Sequence, residues 1–133
     1  MLEQYPTALK LVHKDYPLPN HQFARQASVA ALAAGEQKKY WEYHDKIIQN
    51  FAALGPQKFL DFAKELGLDM DAFQKSLADP KHENHINKDM QDAVSAGITG
   101  TPAIFLNGRI VVNRSLNGIK AMVDEELQKN KKK

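Results

Sequence analysis

The spacing of apolar and polar positions changes period twice along the chain. In "ALKLVHK", Ala8 to Lys14, Leu9, Leu11 and His13 alternate with Lys10, Val12 and Lys14, the period-two pattern of a short strand. Pro17 and Pro19 then resist any continuation of regular structure. From Asn20, a residue suited to an N-cap, the spacing becomes helical: Phe23, Ala27, Ala30, Ala31 and Ala34 share one face, and Gly35 ends the run. The next helix, in "EQKKYWEYHDKIIQNF", brings Tyr40, Trp41, His44, Ile47, Ile48 and Phe51 together, with Trp41 expected to anchor the core. Pro56 fits the first turn of a third helix whose buried stripe is Phe59, Leu60, Ala63 and Leu66, up to Gly67. Asp69 caps a short fourth helix carrying Phe73 and Leu77. Asp79 and Pro80 open a fifth, with Ile86, Met90, Ala93 and Val94 inward and Lys88, Asp89 and Asp92 outward.

After Gly97 period two returns. "PAIFL" and "RIVV" flank Asn107-Gly108, the pair that favours a type I′ hairpin turn. Ser115 or Asn117 caps a final helix whose Ile119, Met122, Val123 and Leu127 face the core. The order is strand, four or five helices, hairpin, helix. It reads as an α/β chain, predominantly helical with a small sheet, forming a single domain over 1–133. A helical insertion spans about 20–96, and a C-terminal hairpin and helix span about 101–130.

Composition narrows the chemistry. Hydrophobic content of 43% with 26% charged residues is ordinary for a globular domain. The net charge of +2 owes much to the terminal Lys131, Lys132 and Lys133, a solubilising tail, so no nucleic-acid partner is expected. No apolar run approaches the ~20 residues that span a bilayer, and "MLEQYPTALKLVHKDYPLP" has no signal-peptide core. The expectation is therefore no membrane partner and a cytoplasmic location for the chain as written. The absence of cysteine excludes disulfides, thiolate nucleophiles and cysteine metal sites within the chain.

His82 and His85, with Glu83 or Asp89, come nearest to a metal-ligating set. The polarity of "DPKHENHINKDM" is met equally by a solvated helix start, so neither a metal nor a cofactor is expected. His13, His21 and His44 have apolar or aromatic neighbours, and none of the serines lies in a nucleophile elbow. Gly97 and Gly100 precede a strand, which disfavours a phosphate loop. For Thr101-Pro102, spacing alone favours an edge-strand proline over a cis peptide.

The segments "YPLPNHQFARQASVAALAAGEQKKYWEYHDKIIQNF", "LGLDMDAFQKSLAD" and "AGITGTPAIFLNGRIVV", followed by a helix with "MVDEEL", resemble in order and wording the DsbA-like thiol:disulfide oxidoreductases. The resemblance implies a thioredoxin-like fold with a helical insertion, and a cis-proline loop at Gly100, Thr101 and Pro102 that aligns substrate polypeptide beside a Cys-x-x-Cys motif. It also implies that this motif, the central N-terminal strand before it and most of the helix it opens are missing before "LEQYP". Lys38 and "VNRS" depart from the family pattern only locally.

Without a central strand, the strand at Leu9 to Lys14 and that at Ala103 to Leu106 would face each other unpaired. Three outcomes are open: the two strands pair with each other, the helical part folds while the remnant sheet rearranges, or a second copy supplies the missing edge, and association into a homo-oligomer through those edges is the expectation. The function implied is a DsbA-like protein disulfide oxidoreductase domain, redox-inactive as this chain, with no catalytic residue. A polypeptide substrate is expected at the cis-proline loop, and a periplasmic or secreted location for a full-length parent. The alternatives are a non-catalytic peptide-binding or assembly module using the same loop, and a helical interaction protein with a vestigial sheet.

Overall fold

The computed structural model describes residues 1–132, which fall into two compact units. One comprises Lys14–Gly97, and the other comprises Met1–His13 with Ile98–Lys133. No helix among the described residues is long and apolar enough to cross a membrane.

The first unit is helical. Its elements are α1 (Ala24–Gly35), α2 (Tyr40–Gln49), a 3-10 turn (Phe51–Ala53), α3 (Pro56–Glu65), α4 (Met70–Leu77) and α5 (Pro80–Ser95). Helix α1 packs against each of the other four, and Ala27, Val29, Ala30, Ala31, Ala33 and Ala34 are all buried along it. The expected cap at Asn20 is not used: that residue lies in a turn, and Phe23 occupies the N-cap position without a side-chain hydrogen bond. Lys38 reverses the chain after α1 with φ +63°. The Gln37 amide then grips the start of α4, donating to the Asp69 carbonyl at 3.1 Å and accepting from the Asp69 N–H at 2.9 Å.

The buried face of α2 differs from the expected one. Tyr43 is fully buried, whereas Trp41 is 42% exposed, Ile48 59% and Phe51 77%. Tyr43 inserts edge-on to Phe62 and tilted against Phe73, with ring centroids at 5.9 and 5.7 Å, and its hydroxyl donates to the Phe59 carbonyl at 2.8 Å. A side chain that buries both an aromatic ring and a satisfied hydroxyl outcompetes the larger indole at the neighbouring position. Helix α3 adds Phe62 to the expected Phe59 and Ala63. Both Asp69 and Asp79 cap as expected, accepting from the N–H groups of Ala72 and Lys81 at 3.0 Å each. On α5, Ile86 is buried, but Asp89 points inward at 5% exposure and Val94 is 70% exposed, the reverse of the expected assignment.

The second unit contains β1 (Phe105–Leu106), β2 (Arg109–Ile110) and α6 (Leu116–Lys131). The two strands form an antiparallel sheet pairing Phe105 with Ile110 and Leu106 with Arg109. Asn107 and Gly108, at φ +47° and +78°, supply the positive dihedrals a type I′ turn demands. Ser115 caps α6, its Oγ accepting from the Gly118 N–H at 3.0 Å, and Val123 is buried on that helix. The expected strand over Ala8 to Lys14 is not formed. Among the described residues the sheet contains β1 and β2 alone, and without a neighbouring ladder the alternating pattern leaves Leu11 56% and Val12 66% exposed.

Candidate functional site

The Gly100–Pro102 loop leads directly into the hairpin of the second unit. The Thr101–Pro102 peptide is cis. Thr101 and Pro102 are exposed and Gly100 is half-buried. Among the described residues no main-chain hydrogen bond engages Gly100 or Thr101. Past the loop the ladder begins at once, the Val111 N–H donating to the Ile104 carbonyl at 2.8 Å. Gly100 and Thr101 thus precede the ladder without joining it, at the entry to the sheet.

Arg114 fixes the loop from the far side of the hairpin, its Nη1 donating to the Pro102 carbonyl at 2.6 Å. In the sequence Arg114 shows only as part of an unusual "VNRS" turn. Its partner is brought to it by the hairpin, so no local pattern could reveal the contact. The hairpin is tied in turn to α6: Arg109 reaches Glu125 at 3.2 Å and Glu126 at 2.7 Å, and Asn107 Nδ2 donates to Glu126 at 3.3 Å. Arg109 first, then Asn107 and Lys129, hold the Glu126 carboxyl down to about 2. Tyr5 adds a contact from the N-terminal turns, its hydroxyl donating to Asp124 at 2.5 Å.

The histidines fall into different settings, all but His13 in the helical unit. His21 is exposed. His44 stacks on Tyr40 and meets Trp41 edge-on, with centroids at 6.1 and 5.6 Å. His82 and His85, near in sequence, are separated by environment. His82 is 6% exposed, its Nε2 2.8 Å from Ser76 Oγ, while His85 is exposed beside Asp89.

Ser76 Oγ also lies 2.5 Å from Glu36 Oε2, so its single proton goes to that carboxylate. His82 must then donate to the serine from Nε2 and cannot act as its base. A Ser–His–carboxylate constellation is present, but with the proton order opposite to that of a nucleophilic triad. It joins α4 and α5 to Glu36, just beyond α1, and Lys81 completes it by pairing with Glu36. Burial lowers the His82 pKa below its ordinary value, which keeps the ring neutral in this role.

The model of the DSBA-like thioredoxin domain matches residues 3–124. The crystal structure of the thiol-disulfide exchange protein alpha-DsbA2 from Wolbachia pipientis superposes with a TM-score of 0.75 at 27% identity, covering 84% of this chain and 62% of that one. A thioredoxin-like oxidoreductase from Silicibacter pomeroyi gives a TM-score of 0.71 at 25% identity, covering 90% and 68%. By sequence, the chain is 38% identical over 104 residues to the Na(+)/H(+) antiporter NhaA 3 of Salinispora tropica, which covers 77% of this chain and only 16% of that protein. It is 26% identical over 123 residues to the probable disulfide bond formation protein D of Bacillus anthracis, covering 83% of this chain and 56% of that protein. A family match over nearly the whole chain, joined to two structural likenesses of the same kind, leads to one assignment: the chain belongs to the DSBA-like thioredoxin domain family.

Proposed function

We propose that this chain is a DsbA-like domain that contributes a polypeptide-binding loop and performs no dithiol–disulfide exchange by itself. The observation that carries the reading is the pairing of a family match over residues 3–124 with a sequence holding no cysteine. Exchange begins with a thiolate attacking a disulfide sulfur, and no side chain in the sequence supplies that sulfur. The half-buried Gly100 and the exposed Thr101 and Pro102 retain a different capacity, which is to align an extended peptide through main-chain hydrogen bonds, with the Thr101 hydroxyl at hand. An oxidising compartment, where disulfides form in client proteins, is the setting in which such a loop would be used.

Two measurements on the pure chain test the proposal. Insulin reduction by dithiothreitol should run no faster with the protein than without it. Acceleration would overturn the assignment of redox inactivity. Titration with an unfolded polypeptide, followed by amide NMR, should shift Gly100, Thr101 and Ala103 together, and Thr101→Arg should suppress the response. Shifts confined to the helices would support an assembly module working through another surface and would sink the loop assignment.

A further inference from the structure

Outside the loop, one cluster in the helical unit has the donor chemistry of a metal site. His85 and Asp89 lie four residues apart on α5 and share a face, with His85 Nε2 3.4 Å from Asp89 Oδ2. Asp15 is brought to them by its main chain, whose N–H donates to Asp89 Oδ2 at 2.9 Å. One carboxylate oxygen from Asp15, one from Asp89 and a ring nitrogen of His85 all lie within 4.8 Å of one another. Ligands ~2.0–2.2 Å from a shared tetrahedral ion stand ~3.3–3.6 Å apart, so side-chain movements of about an ångström would close the set.

The second observation is the condition of Asp15. It is 6% exposed, yet among the described residues its carboxylate has neither a hydrogen bond nor an ion pair. Asp89, at 5% exposure, places a second carboxylate beside it. Two carboxylates held this close concentrate negative charge that a cation placed between them would neutralise. Lys14 does not meet that need: its ammonium contacts Asp89 Oδ1 at 3.4 Å but sits closer to Asp92, at 3.0 Å, with a side chain 57% exposed. Tyr40, in the same unit, registers the negative field, its hydroxyl pKa being raised by burial and further by Asp15 and Asp89.

We propose that Asp15, His85 and Asp89 form a binding site for a divalent cation of zinc-like character. Two carboxylate oxygens and one imidazole nitrogen suit zinc and cobalt better than they suit calcium, which takes oxygen alone. The exposed His85 ring provides the entry path, and water completes the coordination. His82 takes no part, since its Nε2 is committed to Ser76. Bound metal would pin Asp15 to α5 and stabilise the helical unit.

The test uses the full, tag-free chain after chelator treatment, with zinc chloride and cobalt chloride as probes. Calorimetry should show one equivalent of zinc bound, with a higher melting temperature. Cobalt should develop visible d–d absorption, and the His85 imidazole resonances should shift on zinc addition while those of His82 and His21 stay in place. His85→Gln changes an exposed side chain, leaves the fold intact and should weaken binding roughly tenfold or more. Asp89→Asn should do the same where it folds. Zinc binding that is absent at submillimolar concentration, or that is unchanged in His85→Gln, would overturn the assignment, as would shifts centred on His21.

Discussion

At Tyr43 a single side chain closes the helical core, with its ring between Phe62 and Phe73 and its hydroxyl on the Phe59 carbonyl. Tyr43→Ala should cost ~3–5 kcal/mol, the range for losing a large buried aromatic. Tyr43→Phe should cost about 1 kcal/mol, since only the hydrogen bond is removed. Urea titration followed by far-UV circular dichroism would separate the two, and a near-neutral Tyr43→Ala would refute this view of the core. His82 sets a pH response. Its folded pKa lies below the ordinary 6.5, so between those two values the unfolded chain binds more protons, and stability rises with pH across the window. The contribution is complete above about pH 6.5 and is lost as pH falls through the folded value. Stability measured from pH 7 to 4.5 should therefore decline in wild type and decline less steeply in His82→Gln. Equal slopes would show that protonation of this ring is not coupled to folding.

Among the elements, α6 has the most demanding start. A Cβ placed on Gly118 would fall onto the main-chain oxygen and side chain of Asn113, while Asn113 Oδ1 already accepts from the Ser115 N–H at 3.1 Å. Gly118→Ala should therefore force that turn apart and destabilise the chain by ~1–3 kcal/mol despite alanine's better helix propensity. A rise in melting temperature would contradict the crowding. Helix starts were readable from the sequence where the determinant is local: Asp69, Asp79 and Ser115 each cap within a few residues of their own position. Helix faces were less so. Tyr40, Trp41, Tyr43 and His44 offer two adjacent aromatic stripes of the same period, and the choice between them rests with Phe62 and Phe73 on other helices. Asp89 departs from the outward face that its polarity predicts for a related reason, because a charged residue on a polar helix turns inward only when a distant group receives it. That group is the Asp15 N–H, 74 residues away.

For the whole molecule, resemblance to a family made the Gly100–Pro102 loop legible, whereas spacing left an edge-strand proline as the plainer reading. Arg114 and the Asp15, His85 and Asp89 cluster stayed hidden because folding alone brings their parts together. The predicted strand at Ala8 to Lys14 failed because alternation specifies a face but cannot supply a neighbour. Leu11, Val12 and Ile110 stand 56%, 66% and 58% exposed in the unit that carries the two-residue strands. Self-association through this exposed apolar surface is accordingly the expected behaviour. Sedimentation should reveal a concentration-dependent mass, diminished by Ile110→Lys, and a monomer at every concentration would end that idea.

The alanines of α1 carry a consequence of another kind. Five of its six buried side chains are alanine, each ending at Cβ. Alanine has no rotamers to freeze, so seating this helix among four neighbours costs backbone entropy and almost no side-chain entropy. The element with the most helix partners in the unit is thus also one whose buried face gives up almost no rotamer freedom on folding.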